Sequence, residues 1–140
     1  MTSLHPQLSK DCHYLGAAGT GTLLLHRNAS LPWLILVPAT AVAELHELDS
    51  AHYHQVLSEV RRLARFVKKY YQCERINIAT IGNLVPQLHI HIVGRSSEDA
   101  CWPQPVWGHL QTSADYAETE VRELTDALLK QQLLREPSPA

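Results

Sequence analysis

Three polar side chains stand at every second position of one short apolar run: Gln87, His89 and His91 in "NLVPQLHIHIVGR", residues 83–95. Leu88, Ile90 and Ile92 fill the places between. Such alternation marks a β-strand with one face in a core. The other face here carries an amide and two imidazoles, where Thr, Lys or Glu is commoner. Groups at i, i+2 and i+4 of a strand sit about 6.6 Å apart per pair at Cα, so these imidazoles can address adjacent parts of one phosphate group. Three chemistries compete for the pattern. In the plainest, two ordinary histidines lie on an exposed strand face. In the second they bind a metal, although catalytic zinc usually takes three protein ligands and His13, His26 and His109 have no telling spacing to the pair. In the third, one imidazole attacks phosphorus and water later splits the phosphoramidate. That route needs a neutral nucleophilic nitrogen, fixed by a hydrogen bond at the other ring nitrogen. It also needs a group to meet the leaving oxygen and donors for the non-bridging oxygens.

The chain around the pattern narrows the choice. With 45% hydrophobic and 19% charged residues in 140, it reads as one soluble globular domain, residues 1–134, with a short tail at 135–140. Lys and Arg number 12 against 14 Asp and Glu, and no basic stripe stands out. That argues against binding duplex nucleic acid, which rests on phosphate neutralisation, but leaves room for one small phosphate ligand. Cys12, Cys73 and Cys101 show no CxxC pairing, which fits reduced thiols in a cytoplasm and gives no zinc framework. "MTSLHPQLSKDCHYLG" has no apolar h-region, so no signal peptide is expected. "LPWLILVPATAVA" is broken by Pro32 and Pro38 and is too short to span a bilayer. A cytoplasmic location away from membranes is the expectation.

The elements that must position the pattern follow from periodicity. "TGTLLLHRN" (20–28) and "WLILVP" (33–38) read as strands of an antiparallel hairpin around a loop at 28–32, the second strand fully buried. Asp49 or Ser50 caps a long helix with Tyr53, Val56, Leu57, Val60, Leu63, Ala64 and Val67 at helical spacing. Its opposite face, with Arg61, Arg62, Arg65, Lys68 and Lys69, reads as solvated rather than as a binding patch. "RINIATIG" (75–82) is a third strand, and 87–94 a fourth after the turn in "GNLVP". A second amphipathic helix is expected over roughly 113–134 on Val121, Leu124, Leu128 and Leu133, with Ser113 as cap. Strands, helix and strands without repeated βαβ units predict an α+β fold. Four to five antiparallel strands carry the long helix, with the His strand near the centre.

The segment "GN-x-VP-x-LH-x-H", a strand end and then Arg resembles the histidine triad (HIT) nucleotide hydrolases and transferases, whose motif is His-φ-His-φ-His-φ-φ. "LPWLILVP" resembles that family's second strand and "INIATIGN" the strand entering the motif. "WPQPVWG" resembles the tail of a bacterial subgroup, and the likeness covers about residues 12–108. It implies the HIT-like fold and a homodimer, while the missing third ligand and absent Cys/His cluster predict chemistry without a metal or other cofactor. The implied reaction is hydrolysis or nucleotidyl transfer at the α-phosphate of a purine nucleotide conjugate, either a dinucleoside polyphosphate or a nucleoside phosphoramidate. Carried across position by position, His89 is the nucleophile that becomes nucleotidylated, and His91 helps bind and protonate the departing group. Gln87 stands where the first histidine belongs; its main-chain carbonyl would still orient Nδ1 of His89. Asn83 falls where relatives contact phosphate, Asn77 on the phosphate side, and Asn28 near the ribose; turn and strand-end chemistry is the plain alternative for all three. Arg95 suits a phosphate or a structural ion pair, and Trp102 and Trp107 a stacked base or loop packing. His26 and His109 have no role on these grounds. The rival functions are a nucleotide-binding protein that turns over slowly because the triad is incomplete, and a metal hydrolase using His89 and His91.

Overall fold

Every strand of the sheet is antiparallel to its neighbours, in the order β1-β2-β3-β5-β4. The strands are β1 (Cys12–Ala18), β2 (Gly21–His26), β3 (Trp33–Val37), β4 (Arg75–Ala79) and β5 (Ile90–Arg95). The helices are α1 (Pro6–Asp11), α2 (Ser50–Tyr70) and α3 (Glu118–Lys130). The computed structural model describes residues 3–136. The architecture is the expected α+β one, with β5 one strand in from the β4 edge.

Period-two alternation divides the apolar residues between two cores. Leu23 and Leu25 of β2, Leu34 and Leu36 of β3, and Ile90 and Ile92 of β5 face α2 and α3, meeting Val56, Val60, Leu63 and Leu128. Leu24, Trp33, Ile35, Val37 and Val93 face the other way, against Leu8 of α1 and Val106 of the Trp/Pro segment. β3 is buried on both faces. Asp49 accepts a hydrogen bond from His52 N–H at 2.9 Å and so caps α2. Val56, Val60, Leu63 and Val67 of the expected stripe are buried, while Leu57 is exposed and Phe66 joins the core instead. Arg61, Arg62, Arg65, Lys68 and Lys69 are all exposed. β5 can lie this close to α2 and the turn after it because position 94 is glycine: a Cβ there would strike Cys73 Sγ and crowd Val67 of α2.

Several boundaries differ from expectation, and the strands expected over 20–28 and 75–82 run only Gly21–His26 and Arg75–Ala79. The strand expected over 87–94 pairs only from Ile90, opposite Leu36; Gln87 and His89 form its irregular lead-in. α3 begins at Glu118 instead of near Ser113, because Asn28 ties 112–114 down outside the helix. Its Nδ2 donates to Thr112 O at 2.8 Å, and its Oδ1 accepts Ala114 N–H at 3.2 Å. The helix then ends at Lys130, and a left-handed Gln132 turns the chain so that Leu133 and Leu134 are buried outside it. α1 and β1 had no clear sequence signal. One is six residues long, and the other exposes Tyr14 and carries a register shift at Gly16. Arg135 N–H donates to Ala17 O at 2.9 Å, so the expected tail is tied down at its start; residues 137–140 lie outside the described ones.

Arg95 resolves as a structural ion pair. Its guanidinium is 2% exposed and grips Asp99 at 2.7 and 3.0 Å while donating to Asn77 Oδ1 at 2.9 Å. Trp102 stacks against the same cation, 5.7 Å away. The cluster fixes the start of the Trp/Pro segment. Burial raises the Asp99 carboxyl pKa, but Arg95 and the N–H groups of Ser96 and Cys101 outweigh it and hold the value below the usual range. Breaking such a pair leaves a buried charge, so Asp99→Ala is expected to cost about 3–5 kcal/mol of folding free energy at pH 7 in urea denaturation. Because the folded carboxyl is the stronger acid, the difference from wild type should persist above its ordinary value and shrink as pH falls through the depressed one.

Candidate active site

On the face of the sheet away from the long helices lies a cleft of about 690 Å³, a size usual for small-molecule sites. β5, β3 and β2 supply its floor through His91, Trp33 and His26, with His89 from the lead-in. The loop Ile81–Val85 forms one lip, where a left-handed Gly82 makes the turn. α1 forms the opposite wall through Gln7, Leu8 and Asp11, and Trp107 closes one end.

The two imidazoles are 6% and 7% exposed and meet edge-to-face at 4.9 Å between centroids. His89 places Nδ1 2.7 Å from the main-chain carbonyl of Gln87. A carbonyl only accepts, so Nδ1 carries the hydrogen and Nε2 keeps a bare lone pair. His91 has the opposite tautomer. Trp33 Nε1–H donates to its Nδ1 at 3.0 Å; an indole only donates, so the His91 hydrogen is on Nε2. Burial, and then the neighbouring rings of His89 and His26, push the His91 pKa down to about 3. The pair thus offers a nucleophilic nitrogen and a neutral N–H donor side by side.

His26 is a third member that sequence reasoning left unassigned. Its Nδ1 accepts Asn28 N–H at 3.1 Å, so it too turns an Nε2–H outward, and its ring stacks on Trp33 at 4.0 Å. Continuing the β2–β3 register beyond Leu25 and Leu34 sets His26 opposite Trp33, so a parity count from the hairpin contained the signal. Trp107 packs edge-on to His91 at 5.1 Å, inside the cleft, whereas Trp102 sits on Arg95.

The remaining candidates divide. Asn83 lines the cleft from the exposed lip. Asn77 Oδ1 is taken by Arg95, and the amide of Asn28 by the 112–114 segment, so neither reaches the cleft. Gln87 gives its carbonyl to His89 while its side chain turns to the N-terminal segment. His109 is exposed and folds onto its own loop, with Nδ1 3.1 Å from Pro105 O. Cys12 lies in the wall with its thiol pKa pushed up to about 12, chiefly by burial, and is inert as a nucleophile at neutral pH. Among the described residues no three His, Cys, Asp or Glu side chains converge on a point where a metal ion would sit. A separate groove of about 480 Å³ along α2, bounded by Gln131 and Leu133 beyond α3, carries Arg62, Arg65 and Lys69 but no imidazole, thiol or carboxylate.

These contacts make His91 a reporter. Its folded pKa is lowered, so it stays neutral, and the stability this favours declines as pH falls from 6.5 toward about 3. Its ring ¹⁵N shifts should therefore stay constant from pH 8 to pH 5. Trp33→Phe keeps most of the packing but leaves Nδ1 without a donor. It should cost about 1–3 kcal/mol, move the His91 titration upward and mix the two tautomers. An unaltered single tautomer in Trp33→Phe would show that the indole does not set it.

Comparison with known proteins identifies the family and the fold. The HIT domain pattern matches residues 7–98. A histidine triad protein from Bradyrhizobium japonicum is 39% identical, with TM-score 0.86 over 94% of this chain and 97% of its own. A HIT protein from Sinorhizobium meliloti is 33% identical, with TM-score 0.86 over 91% and 95%. One from Marinobacter aquaeolei is 34% identical, with TM-score 0.86 over 94% and 98%. No curated protein matches the sequence. The match spans well over half of the chain and includes both buried imidazoles, so the chain belongs to the HIT domain family.

Proposed function

We propose that the chain is a nucleotide hydrolase or nucleotidyl transferase acting at the α-phosphate of a purine nucleotide conjugate through a covalent intermediate on His89. Membership of the HIT family points to nucleotide-related hydrolase or transferase activity in general. The observation that supports the finer reading is the pair of opposed tautomers, set by the carbonyl of Gln87 and the indole of Trp33. Nε2 of His89 attacks phosphorus: a P–N bond forms, the bond to the leaving group breaks, and the leaving group departs with that electron pair. The ring becomes cationic, and its Nδ1–H faces the carbonyl oxygen of Gln87, which steadies the charge. Water then attacks phosphorus. The P–N electron pair returns to Nε2, and the water proton passes to solvent. Nε2–H of His91, Nε2–H of His26 and the Asn83 amide donate to the phosphate oxygens, while Trp107 and the apolar wall take the base. Dinucleoside polyphosphates fit this scheme as written, and nucleoside phosphoramidates fit it when their nitrogen takes a proton from solvent as the bond to phosphorus breaks.

His91, neutral and bonded at Nδ1, serves as a hydrogen-bond donor and not as a source of a proton. Leaving groups that depart as stable anions are therefore favoured. That same observation supports the second reading, a nucleotide-binding protein with little turnover on poor leaving groups.

We also infer that the chain works as a single-domain unit and a homodimer: β4 is an edge strand, and Ile78 on it is half exposed. No helix among the described residues is long and apolar enough to cross a membrane, and a cytoplasmic site of action fits the unpaired thiols.

The test is kinetic. His89→Ala should lower turnover of any accepted conjugate by several orders of magnitude while AMP still binds. His91→Ala should cost about 10²-fold, by a similar factor with good and poor leaving groups, because an N–H to the phosphate oxygens is lost and no proton donor is. Turnover unchanged in a folded His89→Ala protein rejects the mechanism.

A further inference from the structure

We infer that the side chain of Gln87 is a latch for the N-terminal segment, so that position 87 governs the wall of the cleft and not proton movement in the reaction. The inference rests on the nucleotide-site reading only for what the wall contacts. Gln87 Oε1 accepts His5 N–H at 2.8 Å, and Gln87 Nε2 donates to Ser3 O at 3.1 Å. A carboxamide presents an acceptor and a donor side by side, as a peptide group does, and here it pairs with the main chain as an added strand would. Both polar ends of Gln87 are therefore engaged. It lines a smaller cavity of about 430 Å³ behind the segment, not the cleft, and His5 stands between the two.

The segment needs this hold. α1 has six residues, far below the length at which a helix persists unaided in water. Its far end is fixed where it runs into β1 and where Arg27 N–H donates to Asp11 O at 2.9 Å. Its near end has the buried Leu8, the His5 ring accepting Gln7 N–H at 3.1 Å, and the Gln87 pair. Gln7, Leu8 and Asp11 reach the cleft from this one helix. Releasing the latch frees that wall while leaving His89, His91 and the carbonyl of residue 87 in place. The expected signature is weaker binding with the chemical step preserved.

Two substitutions break the latch from opposite sides. Gln87→Ala removes the side chain, and His5→Pro removes the His5 N–H at a residue whose φ of −57° already suits proline. His5→Ala is the control: it deletes the ring but keeps the N–H. Hydrogen exchange is read by mass spectrometry on peptides covering 3–12 of the full chain, with AMP affinity and the kinetics of adenosine 5′-phosphoramidate alongside. Gln87→Ala and His5→Pro should each speed exchange about tenfold, more than His5→Ala does. Both should raise the AMP dissociation constant and KM about tenfold, with kcat within about threefold. Gln87→His should follow Gln87→Ala instead of gaining rate. Exchange at the wild-type level in both latch variants overturns the inference. So does a fall in kcat of about a hundredfold with KM held, or a rise of that size in Gln87→His, since either marks a group acting in the transition state. Exchange and AMP affinity do not depend on turnover, so a protein that hydrolyses nothing would defeat the proposed reaction and still score the latch.

Discussion

Two imidazoles buried side by side can act in concert only if each is held in one tautomer, and here the two partners that hold them are of opposite kind. A carbonyl meets Nδ1 of His89 and an indole N–H meets Nδ1 of His91. Each ring is left with Nε2 for a ligand, one as a lone pair and the other as a donor. Neither ring needs a charge to act, which matters in a site where burial holds His91 well below its ordinary pKa. Much of the fold serves this requirement. β3 must run beside β5 to bring Trp33 diagonally across from His91. The chain before Ile90 must leave the ladder, so that a carbonyl two residues before His89 folds back onto its ring.

The sheet separates this chemistry from the bulk of the core. Leu88, Ile90 and Ile92 anchor one face of the segment among α2 and α3, which holds the opposite face still. The site face is covered by lighter parts: a six-residue helix, a glycine turn and the Trp/Pro segment clamped by Arg95 and Asp99. Rigid floor and lighter walls suit the proposed role, in which the site fixes a phosphate and admits nucleotide conjugates of different size.

Much of this was legible in the sequence because alternation is local. The hairpin of β2 and β3, α2 with its Asp49 cap, and the two-faced His strand all follow from spacing within one element. The Gln87 side chain was not legible, since its partners lie more than eighty residues away and are main-chain atoms. Asn28 and Asn77 were placed near substrate by likeness of position. Their amides instead hold residues 112–114 and Arg95, contacts made across the fold that no local pattern encodes. His26 was missed for the opposite reason. It sits at the strand end, where parity carried through the hairpin would have set it beside Trp33.

The central claim is that Nε2 of His89 becomes bonded to phosphorus. Intact-mass measurement of the wild-type protein, quenched without acid seconds after mixing with adenosine 5′-phosphoramidate or diadenosine polyphosphate, tests it directly. The account predicts a mass increase of one adenylyl group, mapped to His89 by fragmentation, that is absent in His89→Ala and disappears as AMP is released. Steady release of AMP with no adduct at any time, and inversion of configuration at a chiral α-phosphorus, would contradict it, because a single direct attack by water inverts and a double displacement retains.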